Sequence, residues 1–534
     1  MIRPSGAAVS VRRKLGWMLS AGAALLVILC IVGAIILAFK WPFSKQSLTE
    51  TITEILPGST VEISRFKSNI FPHPGCEAEG VVVRRSSNAA SSTPLVNVQK
   101  ISIQARYVDL FLRPGYVARI LLNGLRVHVP AAGSGTSNQD DASHDSNSSA
   151  KTRVGEIVAP NALLEVDRGG DKPPLLFNIH SFVLNSVSRD KPMAYQVSMT
   201  NALPPGEITS TGHLGPWSGH KFGETPVSGS DRFKDASLSV FSGLAGMLSS
   251  QDEFKGELDQ INLHGSIEIP DFKVKGSSNE VHLSTRYDAT VNATNGDVFL
   301  RRVESNFLQT TIVVSGKIAG QKGQKGKTTS LDLAVHEGKI QDVLLLFVKD
   351  TRSPATGETT FRAKVLITPQ WRPFLKEVDL QGDFGIEGGR LTKPQSQAGV
   401  DDLSNRARGD GQGKKSADPD PGENENVISN LGGHVRLRGG VARFSNVSFE
   451  IPGASAHMMG EYNLLNQKID FHGTLKTQAK LSQTTSGLKS ALLKPFNGLF
   501  KKKDAGAEVP VEMTGTYKHP HFGIDLNPAD KLEK

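Results

Sequence analysis

His73 and Cys76 stand three residues apart in Phe71-Pro72-His73-Pro74-Gly75-Cys76, a spacing at which an imidazole could deprotonate a thiol for nucleophilic attack. No third group presents itself to orient that base, so the string reads as a structural turn. His336-Glu337 resembles the start of a zinc-protease helix, but position 340 is Ile, where the second histidine ligand would have to stand. His519 and His521 flank Pro520 and could hold a metal loosely; a surface turn is the simpler reading. The glycine- and lysine-rich string from Gly320 to Thr328 resembles a phosphate loop. Its spacing is one residue too long, and it follows a strand without opening a helix. Arg408-Gly409-Asp410 reads as a solvated loop. These residues assemble no nucleophile, acid/base pair or ligand set, so the expectation is a protein that is not an enzyme and holds no metal or cofactor.

The chemistry must then lie in surfaces rather than in single groups. The chain has 534 residues, 38% of them hydrophobic, 21% charged and only 6% aromatic, with 53 glycines. Abundant glycine with few aromatics suits many short strands and turns. The net charge of +8 is concentrated at the start, where Arg3, Arg12, Arg13, Lys14 and Lys40 face no acid over residues 1–40. Removing those five from the 61 basic residues leaves 56 against 53 acids, so no nucleic-acid-binding face is implied. The cysteines are Cys30 and Cys76; Cys30 lies within an apolar run, which disfavours a disulfide between them.

That run, Leu15 to Phe39, is 25 residues without a charge. At 1.5 Å per residue it reaches roughly 37 Å, more than the ~30 Å hydrocarbon core of a bilayer. Trp17 and Trp41 stand at its ends, and Arg12, Arg13 and Lys14 precede it. The positive flank predicts a cytoplasmic tail over 1–14, an uncleaved transmembrane helix over 15–39 and the bulk of the chain on the far side of the membrane.

Beyond the anchor, Ser44 is placed to cap a short helix carrying Leu48, Ile52, Ile55 and Leu56, which Pro57-Gly58 ends. The dominant period then becomes two. Ile101, Ile103, Ala105 and Tyr107 alternate with polar residues, as do Val281, Leu283, Tyr287, Ala289 and Val291. The same alternation carries Val378, Leu380, Phe384 and Ile386, and later Ile469, Phe471 and Leu475. It predicts sheet with one apolar and one polar face. Helical spacing is read at Leu238, Phe241, Leu244, Ala245 and Leu248, and again at Ile340, Val343, Leu344 and Phe347. A third patch, Leu488, Leu492, Phe496 and Phe500, ends in Lys501, Lys502 and Lys503; it could dock on anionic headgroups or plug one end of the sheet. Polar, glycine-rich segments at 131–152, 320–329 and 400–426 read as linkers. They divide the chain into β-rich segments at 41–130, 153–319, 330–399 and 427–534. Apolar-x-apolar-Pro recurs at Val127–Pro130, Ile267–Pro270 and Phe449–Pro452, as a strand terminator or a weak repeat.

Several strings, taken in order, resemble the AsmA family of bacterial envelope proteins. They include "GSTVEISRFKSNIFPHPGCEAEGVVVRR" at 58–85, "PLVNVQKISIQARYVDLFLRPGYVARILLNGLRVHVP" at 94–130 and "ELDQINLHGSIEIPDFKV" at 257–274. Others are "TVNATNGDVFLRRVESNFLQTTIVVSGKI" at 290–318, "DDLSNRARG" at 401–409 and "ARFSNVSFEIPGASAHMMGEYNLLNQKIDFHGTLK" at 442–476. "LLKPFNGLFKKK" at 492–503 and "VPVEMTGTYKHPHFGIDL" at 509–526 complete the set. The family resembles TamB and the chorein-type bridge proteins. The resemblance implies an elongated, curved, open β-sheet groove with a few short helices, attached to the inner membrane with most of the chain in the periplasm. It implies membrane phospholipid and other envelope proteins as partners, and roles in outer-membrane assembly, in phospholipid movement or, alternatively, in regulating protein targeting to the membrane. The alternating apolar residues would line the groove. A diacyl lipid has about 30 methylenes at about 0.8 kcal/mol each, so such a lining would offset a barrier of roughly 24 kcal/mol to transit through water.

Overall fold

A computed structural model of the chain describes residues 44–55, 58–69, 71, 73–85, 94–113, 116–130, 153–167, 173–188, 190–216, 222–241, 243–275, 277–321, 326–346, 348–369, 374–392, 428–477, 508–516 and 519–525. The transmembrane segment read at 15–39, its flanks Arg12, Arg13, Lys14, Trp17 and Trp41, and the patch from Leu488 to Lys503 lie outside them. Among the described residues no helix is long and apolar enough to cross a membrane.

Helix α1 (Lys45–Ile55) starts where the sequence places its cap: the Ser47 amide donates to Ser44 Oγ at 3.1 Å. Leu48 and Ile52, one turn apart, are each only 2% exposed. The rest is dominated by strands, most of them paired with their neighbours in sequence. Strands β1 (Ser59–Asn69), β2 (Gly75–Arg85) and β3 (Val96–Gln104) form an antiparallel meander. Beside β3 lie β4 (Tyr116–Asn123) and β5 (Arg126–Val129), which share one rank; both then pair in parallel with β6 (Arg153–Val166). From there antiparallel pairing proceeds through β7 (Leu175–Val187), β8 (Met193–Ala202), β9 (Pro205–Leu214), β10 (Pro226–Ser237) and β12 (Met247–Glu257). It continues through β13 (Gln260–Val274), β14 (Val281–Asn292), β15 (Asp297–Phe307), β16 (Thr310–Gly320) and β17 (Lys327–Lys339). The last strands are β18 (Ala355–Ile367), β19 (Val378–Leu391), β20 (Ser429–Arg438), β21 (Val441–Ile451), β22 (Ala454–Asn463), β23 (Lys468–Thr477), β24 (Glu508–Thr516) and β25 (His519–Ile524). The two-residue β11 (Leu244–Ala245) pairs only with the far end of β13. The result is one long, curved, mixed sheet. The segments read as linkers at 131–152 and 400–426 lie outside the described residues.

Turn chemistry fixes the register. Gly439 and Gly440, with φ of 60° and 87°, close the two-residue β20–β21 hairpin that only left-handed residues allow. Pro452-Gly453 closes β21–β22, with Gly453 at φ 88°. Thus Pro452 does end a strand, whereas Pro270 sits inside β13 where the register with β14 shifts between Ile269 and Phe272, a place that tolerates a missing amide donor.

Three expectations need correcting. Tyr107 is not in a strand: β3 ends at Gln104, and Tyr107 opens the short helix α2 (Tyr107–Leu112), 41% exposed. The patch at 238–248 is not a helix. A 3₁₀ turn at Leu238–Val240 gives way to β11 and β12, because Gly243 and Gly246 take φ of 92° and 128° and break any helical path. Its apolar spacing instead gathers Leu238 and Phe241 against Ile269. Of the linker read at 320–329, the ends are strand, since β16 runs to Gly320 and β17 begins at Lys327. Lys327 Nζ is held by the Asn295 carbonyl at 2.8 Å and Asp297 Oδ1 at 2.7 Å, so the string that resembles a phosphate loop is a strand-to-strand connection.

Helix α3 (Ile340–Leu345) does form where helical spacing was read, and α4 (Phe374–Glu377) precedes β19. Asp342, 5% exposed, ties α3 to the β15–β16 turn by accepting from the Gln309 amide at 2.9 Å and the Thr310 hydroxyl at 2.8 Å. Asp342→Ala leaves both donors without that acceptor and is expected to cost about 1–3 kcal/mol. Hydrogen exchange of the 308–311 turn should rise accordingly, and unchanged exchange would contradict this tie.

Candidate functional site

Cross-strand partners lie on the same face of a sheet, so the register traces each face from strand to strand. One row runs Val303, Val314, Leu333, Ala363, Gly382 and Val435 across β15 to β20. It continues through Phe444, Gly460, Phe471, Met513 and Phe522 across β21 to β25. Traced toward β1, the equivalent positions are again apolar, as in Ile103 opposite Ile120, Ile120 opposite Ile157 and Ile157 opposite Leu184. An apolar face therefore recurs on both sides of β9–β12, where Ser210, Asp231 and Asp252 stand in it.

That face is filled in one half and half-open in the other. From β1 to β10, and on to Leu258, Ile261 of β13 and Ala293, it forms one continuous core that includes Leu48 of α1, with Phe177 at 1%, Leu184 at 0% and Ile157 at 0% exposure. From β13 to β25 the buried residues break into small separate groups: Ala289, Val291, Val298 and Ile318 in one, and Ile451, Ala454, Ala456 and Leu475 in another. Between them Val314, Leu333, Val365, Val435, Phe444 and Met513 remain half-buried.

The half-open part carries an aromatic stripe. Phe384 on β19 meets Phe444 on β21 edge to face, with ring centroids 6.0 Å apart, and Phe444 meets Phe471 on β23 at 5.4 Å. Glycines occupy the facing positions on the strands between. A Cβ at Gly433 would lie 3.2 Å from the Phe384 ring, and one at Gly460 2.7 Å from that of Phe471. With no side chain there, the rings cross the intervening strands and touch.

The residues expected to line a groove are distributed between these regions. Ile101, Ile103 and Ala105 lie in or against the filled core at 7%, 3% and 1% exposure. Val281, Ala289, Val291, Val378, Ile469 and Leu475 are on the apolar face and buried, while Leu283, Tyr287, Leu380, Phe384 and Phe471 are half-buried. Phe444 escapes a period-two reading because the register of β21 shifts between Phe444 and Val447.

The opposite face is polar and exposed. A depression of about 640 Å³ there is bordered by Asp332, Arg362, Lys364, Asp383 and His434. Its charges are balanced across strands, with His434 Nδ1 2.7 Å from Asp383 Oδ1. Two clusters of ligand-type side chains also lie outside the sequence expectations: His128, Glu165 and Asp167, and His472, Glu512 and Asp525. His472 Nδ1 is 2.9 Å from Asp525 Oδ2, tying β23 to the residue that follows β25, and Nε2 is 2.9 Å from Asp470 Oδ1 on its own strand, so both ring nitrogens are engaged. Cys76 is buried, and burial, with Glu77 adding to it, pushes its thiol up to about 12. Cys76 lies within β2 rather than in the turn that holds His73, and a thiol raised in this way is disfavoured as a nucleophile.

No known protein family, curated protein or solved structure matches this chain.

Proposed function

We propose that the half-open apolar face of β13–β25 is a trough that shields lipid acyl chains, in a membrane-anchored periplasmic protein of AsmA type that supports phospholipid movement and outer-membrane assembly. The single observation that carries this reading is the apolar row traced by register from Val303 to Phe522, in which Val314, Leu333, Val435, Phe444, Phe471 and Met513 stay half-buried. Among the described residues these side chains keep part of their surface open, and each methylene laid against that surface gains about 0.8 kcal/mol. The chemistry required is continuous contact, not catalysis, so this is a binding and transport reading rather than an enzymatic one. Residues 15–39 would hold the chain to the inner membrane. The filled core of β1–β10 favours a second role for that half, as a scaffold through which envelope proteins are assembled or targeted.

Native mass spectrometry of the full detergent-extracted chain tests the reading. It predicts a bound diacyl phospholipid that survives exchange into a lipid-free detergent. Protein that carries no lipid under conditions where the fold is retained would overturn it.

A further inference from the structure

Between the filled and half-open parts the apolar face turns polar. Ser210 on β9 lies opposite Asp231 on β10, Asp231 opposite Asp252 on β12, Asp252 opposite Gly265 on β13, and Gly265 opposite Tyr287 on β14. Directly opposed residues hold their Cβ atoms about 4.5–5.5 Å apart, and like charges in that position destabilise a strand pair. Asp252 accepts from Ser250 Oγ at 2.9 Å and from the Tyr287 hydroxyl. Tyr195 on β8 and Ser210 share a hydrogen bond at 3.2 Å. A Cβ on Gly265 would overlap the Asp252 carboxylate, so the glycine makes its room.

The groups facing the pair are Tyr195, Ser210, Ser250, Gly265 and Tyr287. The nearby cations Arg232, Lys234, Lys255 and Arg286 alternate to the polar face and are exposed. No cation among the described residues neutralises the two carboxyls. Burial first, and then the Asp252 charge, push Asp231 up to about 6; burial also raises Asp252. The Tyr195 and Tyr287 hydroxyls are likewise pushed up and stay protonated.

We propose that Asp231 and Asp252 share a proton and form a proton-controlled clasp across the β10–β12 seam, closed while one carboxyl is neutral and loosened when both ionise. Phe254 and Leu263, on the same face of β12 and β13, pack against the filled core, so the clasp stands among the last strands that core reaches. It would regulate the inner end of the acyl-chain trough, a consequence that rests on the function proposed above. The sign follows from linkage. The folded chain holds this proton more tightly than an ordinary carboxyl at 3.8 does, so seam stability declines as pH rises from 3.8 through about 6 and stays low above it.

Hydrogen exchange of the full chain at pH 5 and pH 8, with times corrected for intrinsic exchange, tests the clasp without any lipid. Peptides covering 226–237 and 247–257 should lose about tenfold in protection at pH 8, while those of β7 remain unchanged. Asp231→Asn and Asp252→Asn should each flatten that difference. Tyr287→Phe, which removes a donor to Asp252, should move its midpoint upward. Should the Asn variants not fold, infrared spectra of the wild type at pH 5 must still show a protonated carboxyl that disappears by pH 8. Equal seam protection at both pH values, a pH response undiminished in folded Asn variants, or the absence of that carboxyl band would overturn the proposal. Loss of lipid binding alone, with the pH response intact, would count against the trough and leave the clasp standing.

Discussion

Phe444→Asp is expected to strip the chain of bound phospholipid while leaving it folded. Phe444 is the middle ring of the Phe384–Phe444–Phe471 stripe and is half-buried on the open stretch of the apolar face. A carboxylate there must either stay hydrated, which keeps acyl chains from contacting the neighbouring rings, or lose its water at a cost of several kcal/mol. Losing contact with even three or four methylenes at about 0.8 kcal/mol each lowers affinity by about a hundredfold. Because the ring is only half-buried and its neighbours do not form a sealed core, the fold should tolerate the change. Ser445→Asp is the matched control, since Ser445 points to the exposed polar face opposite His434. Lipid measured by mass spectrometry after purification should fall at least tenfold in the first variant and hold in the second. Equal retention in both would show that the stripe does not touch lipid.

The two halves of the sheet should respond in opposite ways to loss of bulk. Leu184→Ala removes a side chain with 0% exposure from the filled core and should cost about 2–5 kcal/mol, because the surrounding β6–β8 packing can collapse only partly into the void. Leu333→Ala, at a half-buried position of the open row, leaves no enclosed cavity and should cost less than about 1 kcal/mol. Urea transitions followed by hydrogen exchange in β6–β8 and in β16–β18 separate the two effects. Comparable losses at both positions would mean that the second half is as well filled as the first, leaving no space for a ligand.

The strands and their two-faced character were legible in the sequence because the side-chain period of a strand is two and the alternation is long. Val281 through Val291 and Val378 through Phe384 fall on the apolar face in the phase their spacing predicts. The inward glycines were not legible. Gly433 and Gly460 occupy apolar-face positions, yet glycine in a sequence reads as a turn, and only the register shows that it makes room for a ring. The division into filled and open halves was hidden for a different reason. Ile103 and Phe471 obey the same alternation, and what separates them is how the sheet and α1 close over one and not the other. Nor could the Asp231–Asp252 pair be found: Ser-Gly-Ser-Asp-Arg-Phe-Lys looks like a solvated segment until β10 is paired with β12. Tyr107 was misplaced because alternation was extended past Gln104 into a short helix that precedes Arg113, Pro114 and Gly115.

Photo-crosslinking with a diacyl phospholipid carrying a reactive group midway along one acyl chain tests the central claim most directly. The account predicts adducts on the peptides bearing Phe384, Phe444 and Phe471, and none on the filled core around Leu184. Adducts spread evenly over both halves, or confined to residues 15–39, would contradict it.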